Sequence, residues 1–277
     1  MSVQRPFLVT RPAAAGQALT QALRARGVDA LWLPAFEIGP APDPALARAT
    51  LSQLARFDLA LFVSPAAVQA TAALLGEHTW PAGTAIGAVG AGTRDAARAA
   101  LRFDAVALPR FITPRDAAPD EAAPDAASAD GASGSEVYWQ AQLAHDAAYG
   151  RAPQRVLILR AEQGRDWLQA RFEQAGTEVT RLAVYARRAR AWSADDARWI
   201  AQRVAGVPPV LVVTSSEAVD RMCAAAIAAD ASGAALRWLQ RGRALALHPR
   251  IVARLHAAGF ADAACVPCEV EALLGAA

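Results

Sequence analysis

Lysine is missing from this chain: of its 277 residues, all 28 basic ones are arginine. That absence excludes Schiff-base catalysis, pyridoxal-phosphate anchoring and a Walker-type phosphate loop, each of which needs a lysine. Cysteine is scarce too, at Cys223, Cys265 and Cys268. An odd count argues against a disulfide framework and suits a reducing compartment, so a cytoplasmic location is expected. Cys265-Val-Pro-Cys268 has the spacing of half a metal site. No second pair and no nearby histidine completes it, so no metal is expected. The histidines His78, His145, His248 and His256 are scattered without ligand spacing, and the Gly-x-Ser-x-Gly elbow is absent. No run of about 18 apolar residues occurs, which leaves no candidate membrane span. The N-terminal stretch lacks the charged flank and long apolar core of a signal peptide, so none is expected.

What is present is an even charge balance, 28 basic against 26 acidic residues, with a net charge of +2. No basic stripe stands out, so nucleic acid is not an expected partner. The length favours two domains, and a hydrophobic fraction of 54% is enough to build a core in each.

The recurring unit is a short apolar strand, a turn bearing Ser, Thr, Gly or Pro, and an amphipathic helix. Strands are expected at Phe7–Val9, Leu59–Val63, Ala85–Val89, Val156–Leu159, Val210–Val213 and Ala244–Leu247. After the first, a helix is expected over 16–26, stopped by Gly27. Strands alternating with helices indicate parallel α/β sheets. The pattern also echoes itself. Phe7-Leu-Val-Thr-Arg11 matches Val156-Leu-Ile-Leu-Arg160, the Leu61 segment matches the Leu211 segment, and the Ala85 unit matches the Ala244 unit. Three matches in the same order favour two similar lobes over one large sheet. Between them, 113–135 is rich in Ala, Asp and Pro without periodicity and reads as a disordered surface insertion.

Ligands of open α/β sheets collect beyond the carboxyl ends of the strands, where helix N-termini present free N–H groups. Those turns here hold Thr10-Arg11, Ser64-Pro65, Gly90-Ala-Gly92-Thr93, Arg160, Thr214-Ser215-Ser216 and His248-Pro249-Arg250. Capping explains several of them: Ser64 with Pro65 is an N-cap with an N1 proline, and Thr214-x-x-Glu217 fits a capping box. Capping does not explain Arg11, Arg160 and Arg250, since an arginine at a helix start opposes the helix dipole. Either an anionic ligand or an ordinary ion pair would account for each. Gly90-Ala-Gly92-Thr93 is not a dinucleotide fingerprint, because Asp95 stands at the third glycine position. Tyr185, one of three tyrosines, lies on a strand. Packing is the plain reading; a proton donor for cofactor-free acid chemistry is the other.

Taken together, Leu8-Val-Thr-Arg-Pro12, Leu61-Phe-Val-Ser-Pro65, Ala88-Val-Gly-Ala-Gly-Thr93, Val156-Leu-Ile-Leu-Arg160 with Gly164-Arg165, Val184-Tyr185 and Val213-Thr-Ser-Ser216 resemble the uroporphyrinogen-III synthase family in their order and spacing. The resemblance spans nearly the whole chain outside the insertion. It implies two flavodoxin-like parallel-sheet lobes with a cleft between them, joined by two extended strands at Leu31–Ile38 and Leu182–Arg187. The lobes would be 1–36 with 187–277, and 37–186. It implies cyclisation of hydroxymethylbilane with inversion of ring D, with no cofactor and with the chain acting as a monomer. Tyr185 maps to the family's tyrosine and would be the acid. Arg11, Ser64, Gly92, Thr93, Arg160, Ser215, Ser216 and Arg250 would grip the eight carboxylates of the substrate. The sequence departs from the family at His248-Pro249-Arg250, where Pro249 has no N–H to offer. A two-lobe anion-binding protein and a catalytically silent homologue remain as alternatives.

Overall fold

The structure, a computed structural model, describes residues 5–114 and 134–277. The insertion read at 113–135 therefore falls, over 115–133, outside the described residues. In chain order the first elements are β1 (Phe7–Val9), α1 (Ala13–Arg24), β2 (Ala30–Trp32), β3 (Phe36–Gly39) and α2 (Pro44–Leu51). There follow β4 (Leu59–Phe62), α3 (Pro65–Leu75), β5 (Ala85–Ala88), α4 (Ala91–Ala100), β6 (Phe111–Ile112) and α5 (Gly134–Tyr149). Next come β7 (Arg155–Ala161), α6 (Trp167–Gln174), β8 (Glu178–Ala189), α7 (Ala194–Ala201), β9 (Val210–Val213) and α8 (Ser216–Ala229). The last are α9 (Ala234–Gln240), β10 (Arg243–Ala246), α10 (Pro249–Ala257), β11 (Asp262–Cys265) and α11 (Val270–Gly275).

The chain divides into two compact units, residues 1–38 with 188–277 and residues 39–187. The discontinuous unit holds a five-stranded sheet in the order β11-β10-β9-β1-β2. All four of its neighbouring pairs are parallel. Every residue of β9 is buried, as both faces of the sheet are covered. Side chains alternate across it: Leu8, Leu211 and Val213 pack with Val219, Met222 and Leu255 of α8 and α10. Phe7, Val9, Val210 and Val212 pack with Leu19 and Leu23 of α1 and Leu273 of α11. Each such side chain contributes roughly 1.5–3 kcal/mol relative to exposure.

The contiguous unit contributes β4 to β7 and most of β8 to a six-stranded sheet, β3-β8-β7-β4-β5-β6. On one of its faces Leu59, Leu61, Val156 and Ile158 pack with Tyr138 of α5 and with Leu168 and Phe172 of α6. If β3 is set aside, the two sheets have the same spatial order. β2-β1-β9-β10-β11 in one corresponds to β8-β7-β4-β5-β6 in the other, with the chain entering the second at β4. This is the flavodoxin-like order, whose switch point lies where the chain reverses direction across the sheet. The internal echo read from the sequence is thus a repeated topology.

Two local readings change. The stretch 31–38 is two strands, β2 in the five-stranded sheet and β3 in the six-stranded one. They are separated by Leu33-Pro34-Ala35, where Pro34 has no N–H to donate to a ladder. The first helix starts at Ala13 and ends at Arg24, with Gly27 at φ +79° carrying the chain out of it.

Candidate functional site

The strands that carry the candidate residues pair in parallel with their neighbours, so the turns that follow them emerge at the carboxyl edge of their own sheet. In the discontinuous unit that edge carries Arg11 after β1, Ser215 and Ser216 after β9, and Arg250 after β10. In the contiguous unit it carries Ser64 after β4, Gly92 and Thr93 after β5, and Arg160 at the end of β7. The structure thus sorts the residues expected to bind substrate into two sets of four.

Tyr185 joins the second set through an irregularity. β7 and β8 run in register from Arg155↔Glu178 to Arg160↔Ala183, and then Ala161 pairs with Tyr185 rather than Val184. One extra residue in a strand is a bulge, and it re-aims the side chain that follows. The bulge sets the phenol level with the last residue of β7. Its hydroxyl lies 3.2 Å from Ser64 Oγ, a direct contact between two candidate residues. Tyr185 is 1% exposed. Ser64 is the N-cap of α3, as its sequence context predicts: backbone extended, Pro65 in the first turn, and Oγ accepting from the Ala67 N–H at 3.2 Å.

Arg160 does not present a free charge. It is 7% exposed, and its Nη1 donates to Asp166 Oδ1 at 2.6 Å. Asp166 also takes Arg181 Nη1 at 3.3 Å. The Asp166 carboxyl is held below the usual carboxylate range, chiefly by the Arg160 hydrogen bond. A Cβ at Gly164 would sit 2.5 Å from Arg160 Nη2, so the loop lies close over the guanidinium and a side chain at position 164 would push it aside. Of the two explanations for an arginine here, the ion pair is the one observed.

Arg11 is held by its backbone instead. Its carbonyl accepts the Trp32 indole N–H at 2.8 Å, and a Cβ at Gly16 would lie 1.9 Å from that same oxygen. Thr10 fixes the preceding residue by donating both N–H and O–H to the Val212 carbonyl. Just beyond, Ala13 has φ +56°, the only positive φ outside glycine among the described residues. Such a conformation costs about 1–3 kcal/mol and persists where neighbours over-determine it, as they do here. The guanidinium itself, half-buried, meets no carboxylate among the described residues; Nη1 lies 3.8 Å from Cys268 Sγ. Burial pushes the Cys268 thiol up, with Arg11 partly opposing it.

The remaining turns are plainer. Ser215 caps α8 by accepting from the Ala218 N–H at 3.1 Å, so the cap falls one residue after the Thr214 expected from the sequence. His248 caps α10, its Nδ1 accepting from the Arg250 N–H at 3.1 Å, while the Arg250 side chain is exposed and meets no carboxylate among the described residues. Gly92 is exposed and Thr93 buried at 4%. α4 has no side-chain cap, which leaves its first N–H groups open to an outside acceptor. Among the described residues no group of three or more His, Cys, Asp or Glu side chains is placed to hold a metal ion, and no helix is long and apolar enough to cross a membrane.

The sequence reading missed Asp166, Trp32 and the bulge. Nothing local marks Asp166 as the partner of a residue six positions away, or Trp32 as the anchor of a carbonyl 21 positions away. The bulge leaves no trace in the sequence of β8, which carries no glycine or proline to mark it.

The family model described as uroporphyrinogen-III synthase HemD matches residues 17–113 and 127–274. Among solved structures, a mutant uroporphyrinogen III synthase from the extremely thermophilic bacterium Thermus thermophilus is similar, with a TM-score of 0.56 at 15% identity, over 99% of this chain and 96% of that one. The uroporphyrinogen-III synthetase of Helicobacter pylori has a TM-score of 0.50 at 14% identity, over 99% and 97%. No curated protein matches in sequence. At these identities the solved structures speak for the fold alone, while the family model spans well over half of the residues. The chain belongs to the uroporphyrinogen-III synthase family.

Proposed function

We propose that this chain closes hydroxymethylbilane into uroporphyrinogen III, with release of water and inversion of the last ring, and that Tyr185 is the acid of the first step. The observation that carries the assignment is the Tyr185 hydroxyl at a carboxyl sheet edge, 3.2 Å from the residue capping α3. Hydroxide is a poor leaving group, so a donor beside the hydroxymethyl oxygen lowers the barrier to forming the azafulvene. Attack on that azafulvene by the substituted carbon of ring D gives a spiro intermediate, which reopens and recloses with the ring inverted. The proton lost when the last pyrrole regains aromaticity returns to the phenol, so the cycle consumes none. With 1% of Tyr185 exposed, substrate reaches it only after covering side chains move aside.

Binding falls to the turns. The uncatalysed competitor is simple ring closure, so the protein must above all hold one geometry. Arg11 and Arg250 have no carboxylate partner among the described residues and are the cations available for the eight substrate carboxylates. Thr93, Ser215, Ser216 and the open N–H groups at Gly92 are the neutral donors. Arg160 organises its own loop through Asp166. The test is an isomer assay with freshly generated hydroxymethylbilane. Type III uroporphyrin after oxidation, against type I in the blank, is expected; type I alone from folded protein overturns the reading.

A further inference from the structure

Ser64 is expected, by resemblance, to touch a substrate carboxylate. Its hydrogen bonds support a different role. A serine hydroxyl has one proton and two lone pairs. One lone pair of Ser64 takes the Ala67 N–H at 3.2 Å, and the oxygen then lies 3.2 Å from Tyr185 Oη, where either group can be the donor. The two directions have opposite consequences. If the phenol donates to Ser64, its proton is tied up within the protein. If Ser64 donates to the phenol oxygen, the phenol proton is left to point at substrate.

Two features favour the second direction. An oxygen already accepting from an amide becomes a better donor through its own O–H and a poorer second acceptor, because bonds in a chain polarise one another. That amide also belongs to the first turn of α3, where unpaired N–H groups and the helix dipole place positive charge that supports a negative phenolate oxygen. Pro65 has no N–H, so Ser64 supplies the cap at this helix start. The relay runs Ala67 N–H to Ser64, Ser64 O–H to Tyr185, and Tyr185 O–H outward. Once the phenol has given up its proton, the Ser64 bond becomes charge-assisted and strengthens. Burial of Tyr185 keeps water from replacing Ser64 in this bond.

We propose that Ser64 is a positioning residue that points the Tyr185 proton at the leaving hydroxyl and stabilises the phenolate left behind, rather than a ligand of the substrate. This rests on Tyr185 being the acid. The experiment is a double-mutant cycle with purified enzyme, reading kcat and KM for type III formation and melting temperature for each variant. Ser64→Ala in the Tyr185 background is expected to lower kcat on the order of tenfold with KM within about twofold. Ser64→Thr, which keeps both the cap and the hydroxyl, is expected to restore it. In the Tyr185→Phe background Ser64→Ala is expected to change kcat by less than about twofold, since there is no phenolate left to support. An equal loss in both backgrounds overturns the proposal as a cap effect, and a raised KM with unchanged kcat overturns it as substrate contact. If Tyr185→Phe itself runs at the wild-type rate, the general-acid reading has failed and the proposal with it, an outcome distinct from either of the others.

Discussion

Each sheet carries an arginine at or just past the carboxyl end of an interior strand, and the two arginines have opposite fates. Arg11 lies just beyond β1 and Arg160 next to the last residue of β7, and the two strands hold equivalent places in the shared strand order. A close-packed glycine follows each, Gly16 and Gly164. Gly16 makes room for the Arg11 carbonyl, so the backbone is pinned and the guanidinium is left over. Gly164 makes room for the Arg160 guanidinium itself, which Asp166 then neutralises. A short stretch of sequence reading strand, arginine, glycine therefore encodes either a free cation or a structural one. One carboxylate in the following loop decides which.

The comparison can be sharpened or broken by measurement. The largest effect should come from the contiguous unit, where the arginine is paired with Asp166 and the phenol is the proposed acid. Tyr185→Phe is expected to cut kcat on the order of 100-fold with the melting temperature nearly unchanged, read by steady-state type III formation and thermal unfolding. Next is the arginine pair itself. Arg11→Ala is expected to raise KM about tenfold, the scale of one charge-assisted contact, while leaving stability alone. Arg160→Ala is expected to do the reverse, and equal KM effects from both would erase the distinction drawn here.

Smaller is Asp166→Asn, which leaves a buried guanidinium without its counter-ion. A cost of about 1 kcal/mol is expected, discounted from the buried-pair scale because Asp166 is 58% exposed. The folded-state carboxyl titrates below the ordinary value, so its contribution is complete above about pH 4 and is lost as pH falls through the lowered folded value. Denaturation of wild type and variant should therefore converge in acid; a gap that persists at low pH would assign the loss to packing. Smallest is Ser215→Ala, expected to cost about 0.5–1 kcal/mol through loss of the α8 cap and to change KM less than about threefold.

Strand identity was legible because period and composition agree. Phe7–Val9 and Val210–Val213 are apolar on both faces, as strands covered on both sides must be. The same holds for Ser64 with Pro65, where cap chemistry is local. What escaped were features set by long-range pairing. Thr214 and Ser215 are equally good caps by type, and the end of β9 chose between them. Tyr185 was singled out by type and by resemblance, but the bulge at Val184 that places it beside Ala161 left no mark in the sequence. Whether Arg160 was a ligand or half of an ion pair depended on a loop whose path no propensity records.

The central place of β1 bears on how the chain emerges from the ribosome. Phe7-Leu-Val9 pairs on one side with β2, made moments later, but on the other with β9, roughly 200 residues downstream. At about 5–20 residues per second the strand waits roughly 10–40 s for that neighbour. The whole contiguous unit is synthesised in the interval and can close on itself. β1 is thus made long before the neighbour that completes its pairing, and until β9 follows, one edge of its apolar triplet lacks a strand partner.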